Sequence, residues 1–179
     1  HDDESDASVS NQSADDTDEQ FIQQYRQMRI NEMKQGKRQE YGEVIPISRK
    51  DWHREVNEAS KDNQWVIVNL TRSSSTLSQA HDELCDKVED IMKDLAEKFV
   101  DVKFVSIPAN SAIENWNAVN MPTLFCYRNE KMQHQLIGAD AIGGAGVNSD
   151  RVEYRLALLG ILKSEIEQDP IPDRKVNNI

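Results

Sequence analysis

The chain has 179 residues, enough for one compact domain with appendages, and 32 acidic against 21 basic residues give a net charge of −11. So acidic a chain lacks the basic footprint that nucleic acid or an anionic membrane demands, and no apolar run approaches the roughly 18 residues of a membrane span. Hydrophobic residues make up 37% and charged residues 30%, a balance on the polar side of globular that leaves part of the chain without a core to join.

The acidity is concentrated at the start. Residues 1–20 hold eight acids and no Lys or Arg, while the other 159 residues carry 24 acids and 21 bases. Residues 1–17, with Val9 as their one sizeable apolar side chain, are expected to form an acidic disordered tail, because little apolar surface offsets the entropy of ordering. Nothing near the start has the apolar stretch of a secretory signal. Residues 18–40 read as an amphipathic helix: Phe21, Tyr25 and Met28 recur at i, i+4, i+7, Ile22 and Met33 lie close to the same face, and Gly36 ends it. A lone helix of this length is marginal in water, so it docks on something. An apolar stripe edged by Arg26 and Arg29 suits a groove on a partner, which makes Phe21, Ile22, Tyr25, Arg26, Met28, Arg29 and Met33 the partner-binding candidates. Packing on its own domain is the alternative.

A domain is expected over 41–168. Val44 to Ile47 reads as a short strand whose Pro46 suits an edge, and Ser48 to Asp51 as a capped start of a helix running to about Ala59. Trp65 to Leu70 is almost continuously apolar, the pattern of a strand buried on both faces. After a polar loop from Thr71 to Ser75, Thr76 opens a long helix with Ala80, Leu84, Val88, Ile91, Leu95 and Phe99 facing a core. Val102 to Ile107 is a strand, and Ser111 with Glu114 forms a capping box for a short helix through Trp116. Thr123 to Tyr127 and Met132 to Ile137 pair as a hairpin, and Gly143, Gly144 and Gly146 mark a loop. Asp150 with Glu153 starts a last helix bearing Val152, Leu156, Leu159, Leu162 and Ile166, which Pro170 and Pro172 stop; residues 169–179 form a flexible C-terminal tail. Crossover helices impose parallel strands and tight turns impose antiparallel ones. The order therefore predicts an α/β fold of the thioredoxin-like kind, a central mixed sheet with flanking helices.

A redox thioredoxin carries its thiols just after the second strand, at a helix N-terminus. That position here is Ser73, Ser74 and Ser75, a vestigial redox loop, since serine cannot cycle between thiol and disulfide. Cys85 and Cys126 stand 41 positions apart on core-facing elements, fit no disulfide framework or zinc spacing, and imply a reducing compartment, the cytoplasm. Met121-Pro122-Thr123 matches the thioredoxin pattern of a cis proline before the hairpin, so Pro122 is a structural cis-proline candidate. The stretch GADAIGGAG from Gly138 to Gly146 lacks phosphate-loop spacing and reads as a flexible turn. Asp82, Asp86, Asp90 and Asp94 line up at i+4, but Lys87, Lys93 and Lys98 each follow an acid by four, which makes this a solvated, ion-paired face. His53, His81 and His134 share no ligand spacing. No catalytic residue, cofactor or metal ligand is predicted.

Several separated segments carry a family resemblance: Asp18 to Gln35 (DEQFIQQYRQMRINEMKQ), Tyr41 to Ser48 (YGEVIPIS), Phe99 to Val105 (FVDVKFV), Met121 to Tyr127 (MPTLFCY) and Ile142 to Leu156. Together they resemble the phosducin-like proteins, the helix and YGEV looking more like the chaperonin-associated branch than phosducin itself. The resemblance implies a cytosolic, non-catalytic co-chaperone that binds the chaperonin CCT/TRiC and modulates folding of clients such as actin or tubulin. The alternatives are a regulator that binds G-protein βγ and, from another class, a thiol–disulfide oxidoreductase.

Overall fold

The computed structural model describes residues 12–37, 41–73 and 77–172, and the chain divides into two compact units between Gln39 and Glu40. Of the two expected tails, residues 1–11 and 173–179 lie outside the described residues. The described residues of the first unit form α1 (Gln12–Lys37). It starts six residues before Asp18, where the composition placed it. Asp16 and Asp18 fall near its first turns, where carboxylates complement the positive end of the helix dipole. Too little apolar surface for a core is no obstacle to a helix.

In the second unit, β1 (Val44–Pro46), β2 (Val66–Thr71), β3 (Lys103–Pro108), β4 (Thr123–Arg128) and β5 (Lys131–Ile137) form one sheet in the order β1-β3-β2-β4-β5. β3 pairs parallel with β1 and β2, whereas β4 pairs antiparallel with β2 and β5. The helices are α2 (Gln79–Lys98), α3 (Ala109–Ala112), α4 (Ala139–Ile142) and α5 (Ser149–Leu158). On one face, Val88, Ile91, Met92 and Leu95 of α2 and Val152 and Leu156 of α5 cover Ile67, Phe104, Leu124 and Cys126. On the other, Val66, Val68, Leu70, Val105, Ile107 and Phe125 pack with Ile47, Val56, Trp52 and Trp116. A parallel half joined to an antiparallel hairpin in this order is a thioredoxin-like fold, as the element order predicted.

Local differences from the sequence reading have identifiable causes. The segment after β1 is not one α-helix but a 3₁₀ turn (Arg49–Asp51), a π turn (His53–Asn57) and a second 3₁₀ turn (Glu58–Ser60). The buried Lys103 ammonium donates to the Glu55 carbonyl at 2.9 Å, competing with a regular helical ladder. Helix α2 is capped not by Thr76, which lies outside the described residues, but by Ser78, whose hydroxyl accepts the His81 N–H at 3.1 Å. Ala80 is therefore exposed, and Cys85, Met92 and Ala96 join the buried side. The Ser111 capping box does not form: α3 starts at Ala109, directly after Pro108, because Ala109 is buried in the second core, and the chain is already extended at Ile113. GADAIGGAG is not all turn, since α4 forms within it and buries Ile142.

The last helix is shorter than its apolar pattern. Gly160, at φ +80°, donates to the Ala157 carbonyl at 2.9 Å, and Ile161 donates to Leu156 at 3.1 Å. This Schellman arrangement closes α5 at Leu158 and joins buried Ile161 to buried Leu156. Leu162 remains buried on non-helical chain. A Cβ at Gly160 meets nothing within 4 Å, so Gly160→Ala costs only the left-handed backbone, about 1–2 kcal/mol in urea denaturation. At Gly143 a Cβ would run into the Val147 side chain, and Gly143→Ala is expected to cost more.

Candidate functional site

The loop after β2 and the chain before β4 come together at the end of the sheet. The Ser73 hydroxyl accepts the Asn110 N–H at 3.2 Å, fixing the loop to the start of α3. Arg72 reaches back to α2, donating to the two carboxylate oxygens of Asp86 at 3.0 and 3.2 Å and lying 3.7 Å from Asp82. The hydrogen bond to Asp86 raises the Arg72 pKa, so the guanidinium is a permanent charge. Ser74 and Ser75 lie outside the described residues.

The Met121–Pro122 peptide bond is cis. His81 Nε2 sits 2.8 Å from the Met121 carbonyl, which places a proton on Nε2, and the Met121 N–H donates to Ala118 at 3.1 Å. Both backbone groups beside the proline are thus bonded within the chain. The Thr123 hydroxyl donates to Asn120 at 2.7 Å and accepts from the Trp116 indole N–H at 3.3 Å, while Gly138 donates to the Pro122 carbonyl at 2.9 Å. The small hollow between Arg72, Ser73, His81, Asp82, Trp116 and Met121 is lined by hydroxyl, imidazole, ion pair and apolar surface, and no thiol lines it. This arrangement ties two loops together.

The thiols sit elsewhere. Cys85, rather than its half-buried neighbour Leu84, faces the core; it joins a different core cluster from Cys126, and both thiols are free. Burial pushes the Cys85 thiol up to about 11, against the opposing pull of Arg72, and burial alone pushes Cys126 up to about 12.

The acids of α2 are engaged, but mostly across the fold rather than along the helix. Asp82 and Asp86 face Arg72, Asp94 accepts from the Ser149 hydroxyl at 2.9 Å, and Lys98 donates to the buried Glu153 at 2.6 Å. Within the helix, Lys93 lies 3.9 Å from Asp90. The histidines are apart: His53 approaches Glu58 at 3.4 Å, and His134 stacks on Trp65 with ring centres 6.1 Å apart.

On α1, Phe21 is 74% exposed, Tyr25 58% and Met28 61%. At about 100° per residue these three fall within about 60° of arc. Ile22 is also exposed, Arg26 is exposed, and the Arg29 guanidinium lies 5.9 Å from the centre of the Tyr25 ring. The Met33 side chain lies outside the described residues. Ile30, exposed as well, was not singled out from sequence because it falls on the opposite side of the helix.

No protein-family model matches the chain. Among curated proteins the chain is similar to phosducin-like proteins of several species and, at 25% identity over 103 residues, to putative thioredoxin H10 of Arabidopsis thaliana. It is 34% identical to phosducin-like protein 3 of Mus musculus over 154 residues, 86% of this chain and 61% of that one. It is 32% identical to phosducin-like protein 2 of Drosophila melanogaster over 159 residues, 88% of this chain and 63% of that one. Against phosducin-like protein C2A9.09 of Schizosaccharomyces pombe the identity is 33% over 150 residues, 83% of this chain and 61% of that one. The chain thus spans about three fifths of the length of the curated relatives it matches. Among solved structures, thioredoxin NaTrxh of Nicotiana alata is similar at 19% identity and a TM-score of 0.49, over 65% of this chain and 92% of that one.

With pKa values of about 11 and 12, both thiols are almost wholly protonated at pH 8. A thiol-reactive dye is therefore expected to label neither cysteine of the folded protein in the time that labels both in urea. The unfolded thiols ionise near pH 9 while the folded ones keep their protons, so their contribution to stability is full below pH 9 and falls as pH rises toward 11. Denaturation midpoints measured across that window test the sign, and Cys85→Ala with Cys126→Ala should flatten part of the fall.

Proposed function

We propose that the chain acts as a non-catalytic co-chaperone of the cytosolic chaperonin CCT/TRiC, modulating the folding of clients such as actin or tubulin, with α1 as its main docking element. The observation that carries this reading is the exposed stripe of Phe21, Tyr25 and Met28, flanked by Ile22, Arg26 and Arg29, on a chain similar to phosducin-like proteins. Aromatic and Arg side chains are the residue types that dominate helix-in-groove binding. The serine-bearing loop and the protonated thiols leave the fold without a redox couple, which favours binding over turnover at this site.

The test is a pull-down from cytosol with wild type and a Phe21→Ala, Tyr25→Ala double variant. Loss of chaperonin capture is expected, with a melting temperature within about a degree of wild type. A drop of several degrees would instead make the stripe structural, since losing about 2 kcal/mol of packing is large for a domain of this size. Capture of G-protein βγ in place of the chaperonin would establish the rival binding function, and turnover in an insulin-reduction assay would establish an oxidoreductase.

A further inference from the structure

On the face of the sheet away from α2 and α5, the segment 49–60 and α3 enclose a groove lined by Arg49, Lys50, Trp52, His53, Ser111 and Ala112. Its volume, about 310 Å³, is at the low end of ligand pockets, enough for a side chain or two. Trp52 is half-buried, and its ring is set edge-on against Tyr127 at 82° and 5.8 Å, so the aromatic wall is held rigid by the core behind it.

The charge of the groove differs from that of the body around it. Residues 41–172 carry 21 acids and 14 bases. The acids of this segment, however, are already taken. Asp51 accepts from the Ser48 hydroxyl at 2.7 Å, from the Ser48 N–H at 3.1 Å and from Arg54 at 3.2 Å, and these bonds, with the nearby Arg54 and Lys50 charges, hold its carboxyl below the usual range. Glu55 accepts from Lys103 at 2.7 Å and Arg54 at 3.0 Å, and Glu58 faces His53 at 3.4 Å. Arg49 and Lys50 are exposed and, among the described residues, form no ion pair. Two exposed cations outside any ion pair among the described residues therefore stand beside a half-buried indole on a net acidic domain, with Lys50 also feeling the charge of neighbouring Asp51.

We infer that this groove is a second docking surface, and that its ligand is an acidic peptide segment of a partner protein. Carboxylates of the segment pair with Arg49 and Lys50, and an apolar side chain packs on Trp52. A guanidinium fork, an ammonium and an aromatic side chain lining one groove give both charge recognition and apolar burial. Nucleic acid or an anionic membrane presents negative charge far beyond two cations and is repelled by the acidic surface around them; a short acidic segment presents its charge locally. The inference goes beyond the docking of α1, because the groove is built wholly within the other unit of the chain.

The probe is a fluorescein-labelled short peptide of glutamates around a central leucine, titrated with the full chain by anisotropy. Binding is expected, weakening as salt shortens the Debye length from about 30 to about 8 Å. Arg49→Glu with Lys50→Glu should weaken it at least about tenfold, while the same charge change at exposed Lys131 and Lys163 should not. Ser111→Tyr, which fills the groove without altering charge, should also weaken binding, and Phe21→Ala with Tyr25→Ala should leave it unchanged. Circular dichroism confirms that each variant is folded. The inference is overturned if wild type does not bind the peptide, if the control pair loses as much as the groove pair, or if a single-stranded RNA or phosphatidylserine vesicles bind the groove more tightly than the peptide.

Discussion

Everything in the domain hangs on β2 being buried from both sides. Ile67 turns to the core under α2 and α5, while Val66, Val68 and Leu70 turn to the opposite core. The same strand is bonded on one edge to β3 in parallel and on the other to β4 antiparallel. A strand so placed can spare no backbone group and few polar side chains, because an unbonded polar group there costs the full desolvation of that group. It also fixes where the chain must emerge: Thr71 ends β2 at the point where the loop to α2 begins, opposite the turn before β4.

Around that sheet, a few charged groups join segments distant in the chain. Lys103 on β3, 5% exposed, donates to both the carbonyl and the carboxylate of Glu55, so one ammonium adds to the packing of Trp52 and Val56 in tying the irregular segment to the sheet. Glu153 on α5, 2% exposed, accepts from Lys98 of α2 and from the Ser164 hydroxyl. Arg151 donates to Gly143 and to Asp169, tying α5 to the glycine loop and to the chain after it. Such pairs add less net stability than their geometry suggests, but breaking one leaves a buried charge, so they hold the packing to one arrangement.

The described part of the loop after β2 and the chain before β4 form a structural joint. Arg72 is spent on Asp86 and Asp82, Ser73 on Asn110, and the groups flanking Pro122 on His81, Ala118 and Gly138. The surfaces proposed for binding lie elsewhere, on the exposed stripe of α1 and in the groove beside Trp52. The two differ in chemistry, one mainly apolar and one mainly cationic.

Periodicity and local chemistry decided much from sequence alone. The almost continuously apolar run of Trp65 to Leu70, the hairpin after Pro122 and the missing thiols after β2 were legible because each depends on residues adjacent in the chain. The stripe of Phe21, Tyr25 and Met28 was legible for the same reason. Element ends were not, because they depend on contacts made across the fold. Gly160 closes α5 early although the apolar pattern runs on, since Leu162 can reach the core without being helical. Lys103, which looks like a surface residue in the chain, is buried and reshapes the segment 49–60 from another strand. The groove beside Trp52 is likewise invisible in sequence. Arg49 and Lys50 become distinctive only when Asp51, Glu55 and Glu58 find partners, and when α3, some 60 positions away, supplies the opposite wall. Sequence carries local preference; which charges are left over is settled only when the chain folds and the others have been paired.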